Sequence, residues 1–297
     1  MQDGTCRNET RASAGDKRVT TSEAPPVARP FLKWAGGKGA LLHEILPRLP
    51  KKIETYYEPF VGGGAVFFAL AAEKRFNRAV IGDTNDDLIE TYYAIQNDLD
   101  EVVQRLKIHA GKHSEEYFYK VRAQRGSYVA ARIIYLNRTC FNGLYRVNQK
   151  GEFNVPFGKY ANPKICDEEN LTAVSEVLHG VDLETNDFET MVVTAQRGDS
   201  VYFDPPYAPL SDTSNFTAYT AGGFGSSEQE RLRDVAKKLI DRDVHVLLSN
   251  SDTPFVRDLY GMTRVFKIEE VQAPRRVNSK GKKRGNVGEL LISGRTR

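Results

Sequence analysis

The run TYYEPFVGGGAVFFALAAEKRFNRAVIGD, residues 55–83, constrains the fold more than any other stretch. It reads as a short strand, a turn of three glycines feeding an amphipathic helix, and a second strand that ends in an acid. Strands joined through a helix lie parallel in one sheet. The same texture recurs. DDLIETYYAIQND resumes helical spacing, and VDLETND, VYFD, a helical stretch near 226–242 and VHVLLSN follow further on. The alternation predicts an α/β fold, a parallel sheet with covering helices. TRVFKIEEVQ and GELLIS close the chain as a predicted antiparallel pair.

The middle of the chain breaks this rhythm. DLDEVVQRLKIHA, SEEYFYKVRAQ and SYVAARIIYLNR read as helices with no strand between them. FNGLYRVNQKGEFNVPFGKY then mixes glycine, asparagine, aromatic and basic residues. Asn148, Lys150 and Gly151 favour a turn there, so a β-hairpin is expected. Upstream, GGKGALLHEILPRL reads as a Gly-rich lead-in to a helix. Residues 1–28 are rich in Ser, Thr, Gly, Ala and Arg and are expected to be a disordered tail. The predicted organisation is a core of residues 29–97 and 165–297 interrupted by a mostly helical module, 98–164.

Charge is balanced overall, with 42 basic and 39 acidic residues among 297. The chain as a whole is therefore no polycation, but six basic residues and no acid fall between Arg275 and Arg284. Such a patch fits a polyanion and fits a solvated surface loop equally well. The three cysteines, Cys6, Cys140 and Cys166, are far apart and form no CxxC, so neither a zinc ribbon nor a disulfide framework is expected. A reducing cytoplasm is the natural setting. The histidines are scattered and no metal site is expected. No run approaches the roughly 20 apolar residues of a membrane span.

Three motifs carry chemistry. In EPFVGGGAVF, Gly62, Gly63 and Gly64 let backbone approach a ligand closely, and the following helix offers free N–H groups. The next strand ends at Asp83, where an acid can accept hydrogen bonds from ribose hydroxyls. The dinucleotide fingerprint fails at Phe67, and the phosphate-loop pattern fails in WAGGKG because Gly39 follows Lys38. Trp34 and Lys38 suggest instead an aromatic wall and a cation beside a small ligand, although a buried tryptophan and a surface lysine are commoner roles. In VYFDPPYAPL, Asp204 ends a strand, where ligands gather in open α/β sheets. The Asp204 carboxylate and the Pro205 carbonyl are two close acceptors, suited to an exocyclic NH2 group. Tyr207 adds a flat face for stacking a base.

FLKWAGGK, EPFVGGG, Asp83-Thr84-Asn85, NRTCFNGLYRVNQKGEFNVPFGKY, DPPYAPL and NFTAY together resemble the Dam-type DNA adenine-N6 methyltransferases, in that family's motif order, from about Phe31 to the end. The resemblance implies a Rossmann-like S-adenosylmethionine-dependent methyltransferase sheet, with residues 98–164 as a DNA target-recognition domain carrying the hairpin. It implies S-adenosylmethionine as methyl donor, double-stranded DNA as partner and GATC as target. One methyl per flipped base needs only a monomer, no obligatory protein partner is implied, and the expected setting is the cytoplasm of a bacterium or of a phage's bacterial host. Trp34, Lys38, Phe60, Gly62, Gly64, Asp83 and Asp204 match its cofactor-binding positions; Asp204, Pro205 and Tyr207 match its active-site motif.

The segment after Arg138 matches the family's DNA-reading hairpin. Phe141 is the candidate wedge for the gap left by a flipped base. Arg146 suits a bidentate contact with guanine O6 and N7. Leu144 and Pro156 are candidates for the thymine methyl. Asn142, Asn148 and Tyr160 are candidates for phosphate or base contacts, with Arg138 and Lys33 beside them. Ordinary hairpin packing, or a phosphate contact that carries no sequence information, is the alternative for each, more serious for Asn148 and Tyr160 than for Arg146. Cys140 and Val147 receive no role. Two rival readings share some features. An RNA or cytosine-N4 methyltransferase would use the same donor, but the hairpin and the Asp before Pro-Pro favour adenine in DNA. A DNA-binding protein with a relic nucleotide fold is opposed by the joint presence of Trp34, Asp83 and DPPY.

Overall fold

The computed structural model describes residues 26–124, 128–208, 224–274 and 286–294. Seven strands form one sheet: β1 Ile53–Glu58, β2 Phe76–Gly82, β3 Asp182–Glu184, β4 Ser200–Phe203, β5 His245–Ser251, β6 Phe266–Pro274 and β7 Asn286–Gly294. Their order is β3-β2-β1-β4-β5-β7-β6. The first five are parallel, and β7 runs antiparallel between β5 and β6. The expected parallel sheet and antiparallel closing pair are both there, with β7 inserted inside β6.

Every strand except the edge strand β3 feeds two cores, as the two-residue side-chain period requires. Tyr56, Ala79, Tyr202 and Leu247 point to one face, under the helices Ala65–Ala72, Asp86–Asn97 and Glu168–Leu178. Tyr57, Val80, Val201, Phe203 and Leu248 point to the other, under Ser226–Asp241 and Pro254–Gly261. The strand order reverses between β1 and β4, so their C-terminal ends flank a crevice.

Local signals explain most helices. Asn85 caps Asp86–Asn97 by accepting from Leu88 N at 3.2 Å, and Asp86 and Asp87 favour its positive end. Ser114 caps Glu115–Ala123 in the same way. The expected helix after Gly39 is broken into Leu42–Ile45 and the 3-10 turn Leu46–Arg48, which contains Pro47. The helix Ala65–Ala72 is not amphipathic as expected. Val66, Phe67, Phe68 and Leu70 are all buried, so most of its sides are covered by protein. Helices Glu168–Leu178 and Pro254–Gly261 were absent from the sequence reading. Among the described residues, no helix is long and apolar enough to cross a membrane.

The module's helices Leu99–Gly111, Glu115–Ala123 and Val129–Thr139 share the first core with the sheet. The expected hairpin is a loose one. Two antiparallel bridges, Cys140 to Phe157 and Val147 to Phe153, hold it, and no extended ladder forms. Thus both residues left without a role are its pairing points. Of the expected tail, residues 1–25 lie outside the described residues, while Ala28 is already buried in the core.

Asn137 ties this module to the chain's beginning. Its Oδ1 accepts from Lys33 N at 2.8 Å, and its Nδ2 donates to Lys33 O at 2.8 Å and Gly143 O at 3.0 Å. The side chain is fully buried, so its loss strands backbone groups without water. Asn137→Ala is expected to lower unfolding free energy by about 3 kcal/mol in urea titration. A loss under about 0.5 kcal/mol would mean that these bonds do not hold the segment.

Candidate active site

Three strand ends meet at the crevice. After β1 the chain turns through Gly62 (φ 48°) and Gly64 (φ 70°), both in the left-handed region that glycine tolerates. Protein also packs closely against this turn. A Cβ on Gly62 would lie 2.7 Å from Trp34 Cδ1, and one on Gly64 would lie 2.8 Å from the Tyr92 hydroxyl. Close packing of protein against the turn is what excludes a larger residue. Trp34 also stacks on Tyr145 of the hairpin, with ring centroids 5.0 Å apart. The loop expected to read DNA is thus in contact with the glycine turn through one indole.

Asp83 follows β2. Its carboxylate accepts from Gly62 N at 3.4 Å and Asn85 N at 3.1 Å. Burial pushes its pKa up to about 6 against these backbone donors, and no cation pairs with it among the described residues. A carboxylate has about four lone-pair sites, so acceptor capacity remains for a diol. Phe60 faces the other core, 5.6 Å from Phe188 and 5.7 Å from Phe224.

The DPPY loop follows β4. Buried side chains from two other elements clamp its peptide. Gln229 Nε2 donates to Pro206 O at 2.9 Å, Asn250 Oδ1 accepts from Ala208 N at 3.2 Å, and Ser251 Oγ donates to Ala208 O at 2.7 Å. Asn250 and Gln229 are bonded to each other at 2.9 Å. The clamp adds to the stiffness of the two prolines. Among the described residues nothing donates to the Pro205 carbonyl, whereas Pro206 O accepts from Gln229.

Lys38 Nζ lies 2.8 Å from Asp204 Oδ1, donates to Gly36 O at 2.7 Å and sits 4.8 Å over the Tyr207 ring. Lys38 is therefore buried and paired rather than a solvated surface lysine. Burial raises the Asp204 pKa to about 6, with Lys38 opposing. Beneath lies Glu58, fully buried, which accepts from the Tyr56 hydroxyl at 2.8 Å. Burial pushes it up to about 8, so it is mostly a neutral acid at pH 7. The Lys38–Asp204 ion pair thus lies over a carboxyl that burial pushes toward its neutral form. Sequence reasoning quoted Glu58 within EPF but gave it no role; Gln229, Asn250, Ser251 and Asn137 were likewise missed.

The hairpin candidates separate by what occupies them. Phe141 is 51% exposed, a large ring without cover, and Asn142 beside it has φ 58°. Lys33 Nζ lies 5.1 Å over the Tyr160 ring, which brings those two candidates together. Arg146 is exposed, its Nε bonded to Asn154 Oδ1 at 2.7 Å. Pro156 is exposed, while Leu144 is partly buried against the core. Asn148 is used in the turn: its Oδ1 accepts from Lys150 N and Glu152 N, and its Nδ2 donates to Glu152 Oε2. Arg138 donates to Phe31 O at 2.8 Å, and burial lowers its pKa. Its guanidinium holds the chain's beginning in place. The basic segment 275–284 and the NFTAY stretch lie outside the described residues.

Comparison with known proteins agrees with this geometry. Residues 34–277 match the D12 class N6 adenine-specific DNA methyltransferase family. Type II methyltransferase M1.LlaDCHI of Lactococcus lactis subsp. cremoris is 44% identical over 276 residues, which is 89% of this chain and 95% of that protein. Type II methyltransferase M.MjaIII of Methanocaldococcus jannaschii is 43% identical over 286 residues, 89% and 98% of the two chains. The DNA adenine methylase of Escherichia coli (strain K12) is 38% identical over 270 residues, 89% and 94%. The match extends along nearly the whole of each relative and takes in Trp34, Asp83 and the DPPY loop, and the chain belongs to the D12 class N6 adenine-specific DNA methyltransferase family.

Proposed function

We propose that this adenine-specific DNA methyltransferase uses S-adenosylmethionine to methylate N6 of an adenine flipped out of duplex DNA, within GATC. The observation that carries the reading is the pair of acceptors beside Tyr207: the Asp204 carboxylate and a Pro205 carbonyl that no described residue occupies. The donor site is assigned to Trp34, the Gly62–Gly64 turn and Asp83, whose uncompensated carboxylate suits the ribose hydroxyls. When bound, S-adenosylmethionine supplies an electrophilic sulfonium methyl group.

An amino group inside a duplex is out of reach of such a loop, so the base leaves the stack. Tyr207 supports its ring, and Asp204 and Pro205 O accept the two N6 hydrogens. Both bonds draw the nitrogen away from conjugation and aim its lone pair outward. Lys38 now occupies Asp204, and an entering N6–H exchanges for it. The proton leaves after methylation has made N6 cationic, and Asp204 is the nearest base. Positioning and fixed charge supply most of the acceleration. Residues 98–164 form the target-reading module, with Phe141 filling the vacated stack and Arg146 reading guanine. The GATC target rests on the likeness of the hairpin sequence. One chain carries every residue of this site, and it acts as a monomer.

Asp204→Ala is expected to lower single-turnover methyl transfer about a thousandfold with the circular dichroism spectrum unchanged. In the unmutated enzyme the same requirement appears as an acid limb. Asp204 accepts at full strength and can take the proton from cationic N6 only when ionised, so the rate falls about tenfold per pH unit below its pKa of about 6. A folded Asp204→Ala protein with near-normal turnover, or a flat profile from pH 7 to 5, would refute the role. Separately, Arg146→Ala is expected to relax preference at one base pair by about 1–3 kcal/mol, read from rates on singly substituted GATC sites. An unchanged ranking of those sites would remove Arg146 from recognition.

A further inference from the structure

Tyr207 is fixed at both ends. The peptide that carries it is clamped by Gln229, Asn250 and Ser251. At the far end of the ring its hydroxyl donates to Glu289 Oε2 at 2.8 Å. Glu289 stands on β7, opposite Ser251 of β5 and Val271 of β6. Ladders on both sides hold that backbone, so the carboxylate reaches Tyr207 from a fixed position in the sheet. Burial pushes the Tyr207 phenol well above its usual pKa, which keeps it a donor at neutral pH.

We infer that Glu289 is a positioning residue for methyl transfer: by anchoring the Tyr207 hydroxyl it sets the plane of the ring on which the target base rests, beside Asp204 and the Pro205 carbonyl. This rests on the base-holding role given to Tyr207 above. A stacked base follows the plane of its support. A ring tied only through its Cα can rock about its side-chain torsions, and the base rocks with it. Small misplacement of a reacting nitrogen costs rate steeply. The ring already carries the Lys38 ammonium over its face at 4.8 Å, and a bond at its para position fixes the remaining freedom.

A purely structural bond would give a different pattern, and four variants separate the two. Single-turnover methyl transfer on an unmethylated GATC duplex and donor affinity by calorimetry are measured for Tyr207→Phe, Glu289→Ala, the double variant and Glu289→Gln. Tyr207→Phe and Glu289→Ala are each expected to slow the step about tenfold. The double variant falls no further than the worse single, because both remove one bond. Glu289→Gln keeps an acceptor oxygen and stays within about threefold of the unmutated rate. Donor affinity is unchanged in all four. Tyr207→Phe at the unmutated rate, losses that multiply in the double variant, or a lowered melting temperature with no rate effect would each overturn the inference. Asp204→Ala run alongside keeps the two claims apart. If it is inactive while Tyr207→Phe is fully active, only the role of Glu289 falls; if it is active, the base-holding reading falls as well.

Discussion

The short segment Phe31–Lys38 is the constraint on which the rest depends. It has no regular structure beyond the beginning of a 3-10 turn at Lys38, so side chains from elsewhere must hold it. Asn137 grips both polar groups of the Lys33 peptide, and Arg138 binds the Phe31 carbonyl. Held this way, the segment delivers Trp34 onto the glycine turn and Lys38 onto Asp204. Buried backbone groups without partners would cost too much for such a crossing to be left to chance. One helix, Val129–Thr139, thereby sets the relation between the hairpin that follows it and the crevice at the strand ends.

The chemistry of the crevice follows from desolvation. Three carboxyls, Glu58, Asp83 and Asp204, are all pushed above their ordinary range by burial. Each raised pKa stabilises the fold at low pH, below the ordinary carboxylate value, and that contribution is lost as pH rises through the folded-state value. The site is therefore a place where the molecule is less stable at neutral pH than it could be, in exchange for acceptors left available to ligands. Asp204 is balanced by Lys38, whereas Asp83 has only backbone donors. That difference matches their proposed partners: an amino group that replaces an ammonium, and uncharged hydroxyls.

Much of the fold was legible because strand and helix periods alternate plainly along 55–98 and again from 181 to 250. The cap signals before Glu168–Leu178 and Pro254–Gly261, namely Asp167 followed by two glutamates and Thr253-Pro254, were there to be read and were passed over. The site was legible as motifs but not as causes. Glycines 62 and 64 suggest close approach to a ligand, but that protein rings also fill the space a Cβ would need is not visible in the sequence. The clamp on the DPPY loop joins positions 206, 229 and 250, and nothing local links a glutamine on a helix to a proline carbonyl 23 residues earlier. Arg138 begins the segment expected to read DNA, but its bond to the Phe31 carbonyl, 107 residues away in sequence, has no local signal.

The proposed reaction is methylation of adenine in GATC. The most direct measurement incubates unmethylated plasmid with the protein and S-adenosylmethionine, then digests it with one nuclease that requires methylated GATC and one that is blocked by it. The account predicts cutting by the first and protection from the second, both dependent on the donor. Plasmid that stays resistant to the first and sensitive to the second, with active protein and donor present, would contradict it.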